Sequence, residues 1–109
     1  MERQTNLPLE DLVAILRGEK HSHYPRCFIF NELGALCYQG EDAKDEGLEI
    51  FSESLKSDDP AEKFISLCFL LIIPSAEVKF KQELENFMAE EANRDIIAQA
   101  REKVENFKI

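Results

Sequence analysis

A period of 36 residues runs through this 109-residue chain and leaves few architectures open to it. Leu12, Leu48 and Leu84 recur at that interval, and so do Ile15, Phe51 and Phe87. Two more sets follow in the same phase: Pro25, Ala61 and Ile97, then Phe28, Phe64 and Ala100. Ala35, Leu71 and Phe107 form another, and Cys68 pairs with Val104, where Glu32 is the misfit of the register. Self-similarity at a period of roughly 20–50 residues marks an array of one supersecondary unit, each copy burying its apolar face against the next.

Each unit reads as two helices. Leu12, Ile15 and Leu16 follow the i, i+3, i+4 spacing of a buried helix face, as do Leu48, Phe51 and Leu55, and Leu84, Phe87 and Met88. The second halves behave alike, with Phe64, Leu67, Cys68 and Leu71 in the middle unit and Ile97, Ala100, Val104 and Phe107 in the last. Stop and start signals separate the halves at Gly18 to Pro25, Ser57 to Pro60 and Glu91 to Asn93. Asp59 before Pro60 is a capping residue followed by proline at the first helical position. Ser75 is placed to cap a helix beginning near Ala76. No segment alternates with the period of two that a half-buried strand requires. The expected fold is therefore all-α: six helices in three hairpins, over about 8–39, 41–74 and 76–108, stacked as a short α-solenoid in one domain.

A second stripe predicts how the array ends. Ile29, Leu33 and Leu36 become Ile65, Phe69 and Ile72 one period on, and then Arg101, Glu105 and Lys108. The last repeat of a solenoid has nothing to cover, so its outer face is polar. On this reading residues 1–109 are a whole three-repeat array. The repeat also predicts a core position for Phe28, Phe51, Phe64, Phe87 and Phe107, and solvent beside Glu32.

Charge and composition narrow the function. The net charge is −9, which disfavours direct binding to a phosphate backbone. The longest apolar run, Phe64 to Ile73, is shorter than the ~20 residues of a membrane helix, and the polar start of the chain has no signal-peptide character. Cys27, Cys37 and Cys68 are an odd number in apolar stretches, which reads as reduced core thiols in the cytoplasm.

The segment Pro25 to Leu36, with Arg26 followed by Leu33-Gly34, resembles the second helix of a HEAT repeat. Asp58-Asp59-Pro60-Ala61-Glu62-Lys63 resembles the acidic-proline turn of the same family, with Glu62 or Lys63 where the arginine stands. The third unit departs further, offering Asn93-Arg94-Asp95 as its turn. Tetratricopeptide repeats are the second resemblance, through Leu33-Gly34, Gly40, Gly47, Phe51, Ser54-Leu55 and Pro60, but their 34-residue period disagrees with 36. Either resemblance implies an α-solenoid that presents a surface to a partner, as a scaffold or adaptor.

Glu41, Asp45, Glu49 and Glu53 stand at successive i, i+4 positions, inside a segment from Glu41 to Asp59 whose local charge is −6. A solvated outer face and a docking stripe for a basic protein partner are the two readings of such a run. His21, His23 and Cys27 are the only cluster of soft metal ligands, weighed against a plain surface loop. Tyr24 and Tyr38 are candidate partner anchors. Nothing points to a nucleophile, a phosphate loop or a cofactor. The expectation is a non-enzymatic interaction module, monomeric or weakly self-associating, with an acidic inhibitor of a basic enzyme as the alternative.

Overall fold

Proline and glycine set the limits of the first helix. The computed structural model describes residues 3–39 and 44–108. Its first helix, α1 (Leu9–Leu16), starts directly after Pro8, whose carbonyl accepts from the amides of Asp11 and Leu12 at 3.1 Å each. Glu10 and Asp11 place negative charge in the first turn, where the helix dipole favours it. At the far end Gly18 takes φ +79°, and the amides of Gly18 and Glu19 turn back to the carbonyls of Ile15 and Ala14 at 3.1 and 2.8 Å. This left-handed closing turn is one that a β-carbon would strain.

The remaining elements are α2 (Arg26–Gln39), α3 (Lys44–Ser54), α4 (Pro60–Ile72), α5 (Ala76–Lys79), α6 (Lys81–Ala89), a 3-10 turn at Glu91–Asn93, and α7 (Arg94–Lys108). No strand occurs among the described residues, and the architecture is all-α. The chain forms two compact units, one ending at Ile50 and one beginning at Phe51, with the division inside α3.

In the first unit α1 packs on α2. Leu12, Ile29, Phe30 and Leu33 are fully buried. Arg26 ties the start of α2 to the end of α1 by donating from Nη1 to the Leu16 carbonyl at 3.2 Å, and its guanidinium lies over the Phe30 ring. Gly47 of α3 lies so close to α2 that a β-carbon there would stand 2.1 Å from Cys37 Sγ and 3.2 Å from Leu33 Cδ1.

In the second unit Asp59 caps α4 as expected, accepting from the Ala61 amide at 2.9 Å with Pro60 at the first helical position. α4 packs on α7, around Leu67, Leu70, Ile73, Ala100 and Val104. Phe51 stacks on Phe69 with centroids 5.2 Å apart. Asn93, itself buried, donates from its side chain to the Phe87 carbonyl at 3.0 Å and so holds the end of α6.

Several expectations from the repeat need correction. The helix expected from Ala76 breaks at Phe80, where φ −112° and ψ 32° leave helical geometry while the side chain is buried, so the described residues contain seven α-helices and not six. Ser75 makes no side-chain cap, because its φ of +73° is left-handed, whereas a capping serine needs extended backbone to reach the amides ahead. Leu12, Leu48 and Leu84 are all buried, but Pro25 and Ala61 are exposed where Ile97 is buried. The first two stand at the outer ends of α2 and α4; Ile97 lies a full turn inside α7. Phe51 and Phe87 are core residues, Phe28 and Phe64 are half-buried, and Phe107 is exposed near the end of α7.

Candidate functional site

The acids singled out in the sequence lie on the outside of α3. Asp45, Glu49 and Glu53 are exposed, the first two in the first unit and Glu53 in the second; Glu41 lies outside the described residues. Asp45 and Glu49, both in the first unit, share one helix face through their i, i+4 spacing. Glu46, next to Asp45, faces Arg17 at 3.9 Å, with both side chains open to water. Such an exposed pair contributes little to stability.

The soft-ligand cluster does not converge. His21, His23 and Cys27 are all exposed, and no group of three or more His, Cys, Asp or Glu among the described residues is placed to hold a metal ion. His23 instead starts a ladder of rings, with Tyr24 at 4.4 Å and Phe28 stacked on Tyr24 at 4.7 Å. Tyr24 and Tyr38 are partly exposed.

No disulfide joins the three cysteines, and they are not three core groups. Cys27 faces solvent in the first turn of α2, Cys37 is buried, and Cys68 is half-buried. Burial pushes the Cys68 thiol up to about 11, against a smaller opposing pull from the Lys103 ammonium.

One polar cluster went unforeseen. Glu32, expected beside solvent, is 2% exposed. Residues 3–7 reach it from the start of the chain. The amides of Gln4 and Thr5 donate to Glu32 Oε2 and Oε1 at 2.8 and 2.9 Å, and the Thr5 hydroxyl donates to Oε1 at 2.5 Å. Arg3 Nε stands 3.6 Å from Oε1, and Arg3 Nη2 donates to the Leu7 carbonyl. Burial raises the carboxyl's proton affinity, but the Gln4 amide, the Thr5 hydroxyl and amide and the Arg3 charge outweigh it and hold Glu32 below its ordinary value. No local pattern around position 32 announces this. The signal is a polar residue on an apolar face, and its partners lie 27 and 28 residues away.

The second unit has a surface cleft of about 560 Å³ lined by Met88, Glu90, Glu91, Arg94, Ile97 and Arg101. Its walls carry two cations and two acids over apolar residues, a mixture that selects no single ligand class.

Comparison with protein-family models, with curated proteins and with solved structures found no match.

Proposed function

We propose that this chain is a protein–protein interaction module without enzymatic activity, docking a basic partner through the acids of α3. In this reading the helices are a short HEAT-like α-solenoid with a 36-residue period, acting as a small adaptor in the cytoplasm. The observation that carries it is the exposure of Asp45, Glu49 and Glu53 at i, i+4 spacing. Like charges so spaced cost a few tenths of a kcal/mol per pair in an isolated helix, a cost that a basic partner would reverse.

The net charge of −9 favours a second reading, an acidic inhibitor that neutralises a basic enzyme. An inhibitor has one tight partner; an adaptor joins two.

The test is affinity capture from the protein's own cell lysate at low and moderate salt, run with the wild type and with Asp45→Lys/Glu49→Lys. The double variant is expected to keep its melting temperature and to lose the salt-sensitive basic partner. Undiminished capture of that partner by the variant would sink the proposal.

A further inference from the structure

Glu32 is the one charged side chain buried among the described residues, and residues 3–5, a single piece of non-helical chain, bring hydrogen bonds and a cation to its carboxylate. Two successive main-chain amides, one hydroxyl and one guanidinium meet its two oxygens. Successive amides of extended backbone point to opposite sides, so their convergence on one carboxylate depends on the bend that the chain makes at Gln4 and Thr5. Leu7, in the same segment, is half-buried.

The occupant is also imperfectly seated. Arg3 Nε is buried and has no hydrogen-bond partner among the described residues, since 3.6 Å to Glu32 is beyond hydrogen-bond reach. Arg3 instead uses one of its other nitrogens on the Leu7 carbonyl of its own segment. An arginine free of that local bond could approach the carboxylate with both prongs of its fork, the stronger geometry for this pair.

We propose that Glu32 is the centre of a peptide-recognition site, filled in this chain by its own residues 3–7, which accepts from a partner protein a bent segment with arginine two positions before threonine. A buried carboxylate selects the basic residue, the paired amides require a bend in the backbone, and the hydroxyl contact selects threonine or serine two positions after the arginine. The site uses none of the α3 acids and stands or falls apart from them.

The tethered segment is its own competitor. A short tether holds it at an effective concentration on the order of mM, so a free peptide competes poorly until the tethered copy is weakened. The experiment uses the full chain and a fluorescein-labelled synthetic peptide, Arg-Gln-Thr-Asn-Leu, followed by fluorescence anisotropy. Arg3→Ala/Thr5→Val should bind the peptide at least about tenfold more tightly than the wild type. Adding Glu32→Gln should remove the gain, and a peptide with alanine for arginine and valine for threonine should not bind. Asp45→Lys/Glu49→Lys should leave peptide binding unchanged, which separates this result from the fate of the α3 proposal. A folded Arg3→Ala/Thr5→Val variant with no gain overturns the inference, as does a gain that survives Glu32→Gln. Loss of the helical circular dichroism of Arg3→Ala/Thr5→Val at 25 °C also overturns it, because residues 3–7 would then be part of the fold and not a replaceable ligand.

Discussion

The first unit withdraws a carboxylate from water and satisfies it with residues far off in sequence. The second keeps its charges outside and closes with apolar packing of α4 on α7. In the first, Glu32 depends on Arg3, Gln4 and Thr5, so its stability is tied to protonation. In the second, the main polar devices sit at helix ends, where Asp59 and Asn93 satisfy main-chain groups that the helices leave open. Two units of similar size in one chain are thus stabilised by interactions that respond to different perturbations. A change in pH should separate them, and a cavity should not.

The largest effect is expected in the apolar unit. Leu70 is fully buried, and Leu70→Ala should cost about 2–5 kcal/mol with little change between pH 7 and pH 4. Denaturant titration at both values checks this; a loss under 1 kcal/mol would mean that the unit does not close around α4.

Glu32→Gln comes next. Removing hydrogen bonds to a charged group should cost about 1.5–3 kcal/mol at pH 7. Because the folded carboxyl is held below its ordinary value of 4.5, its contribution is fully present above that value. It fades as pH falls through the lowered folded value. The gap between wild type and variant should therefore narrow in acid. An equal gap at pH 7 and pH 3 would break the contrast between the units.

The smallest effect tests the close approach at Gly47. Alanine there gains up to about 1 kcal/mol in helix propensity but must displace Cys37 Sγ, an overpacking that costs about 1–3 kcal/mol. Gly47→Ala should be mildly destabilising in the wild type and less so in a Cys37→Ala background, where Leu33 Cδ1 still crowds the new methyl, as read by a double-mutant cycle. An equal cost in both backgrounds would remove Cys37 as the obstacle.

The contrast between the units also explains what could be read from the sequence. Local chemistry was legible: Asp59 and Pro60 start α4, Gly18 closes α1, and Leu12, Leu48 and Leu84 are buried at matching positions. Each of these depends on neighbours within a turn or two. Glu32 was misread because its satisfaction depends on a main chain 28 residues earlier, which no periodicity carries. The break at Phe80 was missed because a buried ring there overrides the helical pattern on both sides. Among candidate site residues the exposure of Asp45, Glu49 and Glu53 followed from composition. The separation of His21, His23 and Cys27 from any ligand cluster depended on loop geometry that a spacing rule does not contain.

The three cysteines give the molecule a chemical clock. A thiol reagent added to the native protein meets Cys27 at once, because that side chain is exposed. Cys37 becomes reactive only when the first unit opens, and Cys68, protonated at neutral pH, lags until the second unit loosens. The masses acquired over time then record which unit opens first, with no residue changed.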